Sequence, residues 1–130
     1  MVVCPEDLDT DAWWCSSGNN VSGASDASIG AGLTNTNEIL TGCGEPLSAA
    51  KICDDATIGG YSDWYLPSED ELKAVYFKVH QKGQGNFASN FYWTSTKTNS
   101  TTAQHVRFDN GTAGFSTMTN AHYVRGVRNF

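Results

Sequence analysis

Six side chains in the second half of the chain have the types and spacing needed to hold an anion: Lys73, Lys78, Lys82, Lys97, His105 and Arg107. Lysine and arginine meet sulfate or phosphate oxygens through charge-assisted hydrogen bonds, and exposed contacts of this kind fade as salt rises. Lys73, Lys78 and Lys82 lie on a predicted helix. Its 3.6-residue period puts Lys73 on one flank of the apolar stripe and Lys78 and Lys82 on the other. Lys97 opens a polar loop. His105 and Arg107 share the outward side of an alternating strand, so protonation near histidine's ordinary pKa of about 6.5 predicts tighter anion binding as pH falls. Residues 72–130 carry seven cations against Asp109 alone, a net +6, whereas residues 1–71 carry thirteen acids against Lys51, a net −12. Whether this asymmetry survives depends on whether the two halves interleave in space.

Other chemistries fit less well. Cys4, Cys15, Cys43 and Cys53 form no CxxC pair and have no histidine near them, which does not suit zinc. Two disulfides in an oxidising compartment, with no free thiol, fit better. Of the three possible connectivities, Cys4–Cys15 with Cys43–Cys53 closes the shortest loops. His80, His105 and His122 are scattered, with no recognisable nucleophile setting, so no enzyme is expected. Asp9, Asp11 and Asp26 lack the spacing of a calcium loop and read as solvated. Neither a metal nor another cofactor is expected. The overall net charge of −6 argues against nucleic acid, and the lack of a long apolar run argues against membrane insertion.

The elements that position these residues centre on Gly60–Gly83, GYSDWYLPSEDELKAVYFKVHQKG. Pro67 stops an extended segment, Ser68 is the predicted N-cap, and Glu71 completes a capping box. Leu72, Val75, Tyr76 and Val79 form one apolar stripe, laid over a sheet with Trp64 beneath it. Gly83 is the predicted helix stop. A shorter helix falls within Thr36–Cys53, with Pro46 in its first turn and its end at Asp54-Asp55. Before it, Ser16–Gly32 reads as a long polar loop, and the Trp13-Trp14 pair must be at least half buried. Strands follow at Phe91–Thr96, His105–Phe108, Phe115–Met118 and Tyr123–Arg128, with an Asp109-Asn110-Gly111 hairpin turn. The last strand has apolar residues on both faces and should be an inner one, with Arg125 and Arg128 paired to buried acids. The chain reads as one α+β domain, residues 1–130, whose residues 1–44 form a loop-rich, disulfide-pinned part.

The ordered set Gly60–Ser68, Glu71-Leu72, Tyr92–Thr96, Phe108–Gly111 and Tyr123–Arg128 resembles the C-terminal domain family of the Legionella collagen-like protein, a bacterial adhesin. The resemblance spans about residues 45–130. It implies a C-type-lectin-like fold, with two helices flanking a small twisted antiparallel sheet and long loops. It also implies a secreted or bacterial-cell-surface location, a homotrimer, and sulfated host glycosaminoglycans as ligands. Phe77 lies about 140° from Leu72 on the helix, away from the apolar stripe, so either it faces solvent in a monomer and a trimer covers it, or it packs beneath the Gly-rich loop after the helix. A calcium-dependent sugar site is not implied, because Glu45-Pro46 is followed by Leu47 and Trp93 by Thr94, where sugar-binding C-type lectins carry their ligand motifs. A module recognising a host or bacterial surface protein is the competing expectation.

Overall fold

The computed structural model describes residues 1–17 and 20–129. Gly18 and Asn19, in the predicted polar loop, and Phe130 lie outside the described residues. Chain order gives β1 (Val2–Val3), β2 (Asp9–Ala12), α1 (Gly32–Gly42), α2 (Ala49–Asp55), α3 (Glu69–Lys78), a 3-10 turn (His80–Lys82), β3 (Phe91–Lys97), β4 (Thr102–Arg107), β5 (Ala113–Thr117), β6 (His122–Val124) and β7 (Val127–Arg128). The α+β class is as expected. The sheet is mixed: in the order β2-β6-β3-β4-β5, β6 runs parallel to β3 at Tyr92↔Tyr123 and the other neighbours are antiparallel. β6 does not fold back as a hairpin from β5. It crosses to the far side of β3, which frees its direction, and there it is an inner strand as predicted.

α3 forms because local signals agree. Ser68 Oγ accepts from the Glu71 N–H at 3.3 Å, and the Glu71 carboxylate accepts from the Ser68 N–H at 2.9 Å, completing the capping box. Leu72, Val75 and Tyr76 are buried against Tyr92, Val106 and Phe108 of the sheet region. Each such side chain contributes about 1.5–3 kcal/mol of hydrophobic stabilisation. Tyr65, not Trp64, lies in this cluster; Trp64 is buried elsewhere, its Nε1 donating to the Tyr61 carbonyl. The α-helix ends at Lys78, and Gly83, at φ +75°, closes the 3-10 turn that follows.

The opposite side of the sheet is covered as well. Trp14, Trp93, Ile39 of α1, Ala49, Ala50 and Cys53 of α2, Leu66 and Val124 form a second core. Two indoles stitch it to the backbone: Trp14 Nε1 donates to the Thr94 carbonyl and Trp93 Nε1 to that of Ala12, both at 2.8 Å. Among the described residues there are three α-helices, not two. α1 lies within residues 1–44, the part expected to be loop-rich, and begins at Gly32, the last residue of the predicted polar loop; glycine there allows the approach, since a Cβ would stand 2.2 Å from Glu71 Oε1. Pro46 precedes α2 without entering it, because Ser48 is the N-cap and accepts from the Lys51 N–H. α2 ends at Asp55 as expected, and Lys51 pairs with Asp55 at 3.0 Å. The predicted last strand divides into β6 and β7, and β7 pairs with β1 near the two chain ends.

The cysteine pairing corrects the expectation. Cys15 bonds to Cys43, while Cys4 and Cys53 are buried thiols. Short loops lose to tertiary placement here: the end of α1 delivers Cys43 to the segment after Trp14, with the two Cα atoms 6.3 Å apart.

Candidate functional site

The predicted cations separate into bound and free. Lys73 pairs with Glu69 one helical turn away at 2.9 Å. Lys97 donates its ammonium to the Val21 carbonyl. Arg107 makes a two-pronged contact with Asp109, at 3.2 and 2.9 Å, and its guanidinium lies 5.2 Å from the Phe91 ring centroid. That contact holds the Asp109 carboxyl below the usual carboxylate range. Arg125 and Arg128 pair with Asp7 and Asp63, and neither partner is the buried acid expected: Asp7 is partly exposed and Asp63 reaches solvent. Three acids of the first half thus neutralise three cations of the second, so the two halves interleave and much of the charge asymmetry disappears. Among the described residues, Lys78 and Lys82 remain exposed without a partner. They sit at the end of α3 and in the 3-10 turn that follows it, on either side of His80. The half-exposed ring of Phe77 stands beside them, edge-on to Tyr76 at 5.1 Å. The Arg107–Asp109 hairpin is close by, because Gly111 packs on the Tyr76 ring.

His105 does not join this surface. It shares a sheet face with Arg107, as alternation requires, but that face is covered and only 6% of His105 is exposed. Its ring stacks on Phe91 at 4.4 Å, and its Nδ1 meets Ser116 Oγ at 2.7 Å. His122 Nε2 reaches the same hydroxyl at 2.9 Å, so Ser116 Oγ bridges the two imidazoles. Burial, then His122 and then Arg107, push the His105 pKa down to about 4; burial also lowers that of His122. The expectation that His105 tightens anion binding near pH 6.5 is therefore overturned: it is neutral there and faces inward. This cluster was not foreseen in the sequence, because nothing local shows that a polar-side histidine will be covered.

A second surface was also missed. Trp13, Pro46 and Leu47 line an open groove of about 510 Å³ together with Asp9, Asp11 and Glu45. Pro46 and Leu47 continue into a shallower depression beside Leu8, Ile52 and Ile58. Leu47 is 69% and Trp13 39% exposed, whereas Trp14 is fully buried. Period-2 alternation in the Trp13-Trp14 pair is the signal that one ring had to face out. For metals, Cys15, Cys43 and Glu45 are the only close donor set among the described residues, and its two sulfurs are bonded to each other. Among the described residues no helix is long and apolar enough to cross a membrane.

A family model described as the Lcl C-terminal domain matches residues 4–128. No curated protein matches the chain.

Proposed function

Since the chain belongs to the Lcl C-terminal domain family, adhesin domains of collagen-like proteins and not a known enzyme family, we propose that it binds sulfated glycosaminoglycans by charge, without calcium. The observation that carries this reading is the pair of unpartnered lysines, Lys78 and Lys82, at the exposed end of α3. Sulfates require cations that no protein acid has already neutralised, and these two meet that condition. Lys73, Lys97 and Arg107 are secondary contributors, since each must loosen an existing bond to reach a ligand. Two lysines make a weak site, so useful affinity requires several copies. A homotrimer supplies them along one polymeric ligand, and the half-exposed Phe77 supports such packing. The domain acts at a bacterial surface or after secretion. Heparin binding should persist in a chelator and disappear as salt rises several-fold, because the screening length is already about 8 Å at physiological ionic strength. Binding that needs calcium, or that ignores salt, contradicts the proposal.

The groove at Trp13 and Leu47 favours a second reading, a protein-binding module. Its lining, apolar at Trp13, Pro46 and Leu47 and acidic at Asp9, Asp11 and Glu45, suits a segment with an apolar anchor and flanking Lys or Arg. Excess heparin would displace the first kind of ligand and leave this one in place.

A further inference from the structure

Cys4 and Cys53 lie on either side of Gly126. In the β1–β7 ladder Val2 faces Arg128 and Val3 faces Val127, and Cys4 continues this register by donating its N–H to the Gly126 carbonyl at 2.9 Å. Directly opposed residues of an antiparallel pair carry their Cβ atoms on one face, roughly 4.5–5.5 Å apart. Gly126 has no Cβ, and the point where one would stand is 3.7 Å from Cys53 Sγ. The Cys53 sulfur therefore lies over the face onto which the Cys4 side chain projects. Leu8 and Trp64 wall the space, at 3.3 and 3.5 Å from the same point. Both cysteines are 0% exposed. Burial raises both thiol pKa values, and the charge of Cys4 adds to the rise at Cys53.

We propose that Cys4 and Cys53 form a second disulfide, nested around Cys15–Cys43 and fastening β1 to α2. A Cβ at Gly126 would stand in van der Waals contact with Cys53 Sγ; glycine leaves that space open. The oxidant is a disulfide of the glutathione class. The Cys4 thiolate attacks it, forming a mixed disulfide and expelling one glutathione thiolate. The Cys53 thiolate then attacks the Cys4 sulfur, and the second glutathione leaves. Two electrons pass to glutathione, and the two cysteine protons end on its thiols. Because both thiols are buried in the native fold, the exchange belongs to folding, or to an excursion that lifts the short β1 strand.

The test is a non-reducing peptide map of the whole domain, refolded with oxidised glutathione and then alkylated in denaturant. Cleavage at acids, among them Glu6, Asp11, Asp26, Glu45 and Asp54, separates all four cysteines. The expected map joins the Cys4 peptide to the Cys53 peptide, with no alkyl label on either, alongside the Cys15–Cys43 link. A folded, oxidised protein in which Cys4 and Cys53 both carry label overturns the proposal, as does either one joined to Cys15 or Cys43.

Discussion

Replacing Arg125 with methionine should cost the domain more than any other single loss of charge. The guanidinium is 1% exposed. It donates to Asp7 Oδ1 at 3.0 and 2.8 Å, to the carbonyls of Cys4 at 2.9 Å and Gly85 at 2.7 Å, and to that of Asn86 at 3.2 Å. It also lies 4.0 Å from the centre of the Phe87 ring. Methionine keeps some of the packing but leaves three carbonyls without this donor and Asp7 with only the Tyr92 hydroxyl among its side-chain partners. Breaking a buried pair by removing one partner costs about 3–5 kcal/mol. For 130 residues the unfolding entropy is about 0.27 kcal/mol/K, so the melting temperature should fall by roughly 11–18 °C. Arg128→Met is the control, because its partner Asp63 has a side chain 60% exposed and returns to water when the pair is lost. Its shift should be much smaller. Thermal unfolding followed by tryptophan fluorescence reads both. A fall below about 4 °C for Arg125→Met, or one no larger than the control's, would refute the reasoning.

Three further outcomes follow from other contacts. Stability should drop as pH falls from about 6.5 toward about 4: the unfolded chain protonates His105 near 6.5, while the folded chain holds it neutral until about 4, so the unfolded state binds more protons across that window. The urea midpoint should track this, and His105→Gln should flatten the slope; an unchanged slope in that variant contradicts it. Ser68→Ala removes the cap of α3 and the bond from Ser68 Oγ to the Ser28 carbonyl, and should lower the unfolding free energy by about 1–2 kcal/mol in denaturant titration. Gly111→Ala forces a Cβ to within 2.4 Å of the Tyr76 ring at φ +80°, and should cost about 1–3 kcal/mol in the same titration; a neutral result would mean that the hairpin does not press on α3.

What could be read from the sequence was local. The capping box, the apolar stripe of α3, the Asp109–Gly111 turn and the β3 run each depend on residues a few positions apart, and each is present. The family was legible too, because its motifs lie along the chain in order. What failed depends on distant partners. Cys15 meets Cys43 because α1 carries the chain back to it, inside the part, residues 1–44, that reads as loop-rich. His105 is buried because the sheet is covered on both sides, and period-2 alternation cannot reveal a second cover. Lys73 follows Glu69 by one turn, so that pairing was visible; Arg125 with Asp7 spans most of the chain and was not. Of the six predicted ligand residues, the structure leaves Lys78 and Lys82 unpartnered and takes His105 away.

The proposal rests on those two lysines, and one titration tests it most directly. Heparin should be titrated into the wild-type domain and into Lys78→Glu with Lys82→Glu at low and physiological salt, with Lys73→Gln as a control whose cation is already paired to Glu69. The double variant should lose about tenfold or more in affinity, close to 1.4 kcal/mol per factor of ten, while the control changes little. If the double variant binds heparin as the wild type does, α3 is not the polyanion surface and the groove at Trp13 becomes the place to look.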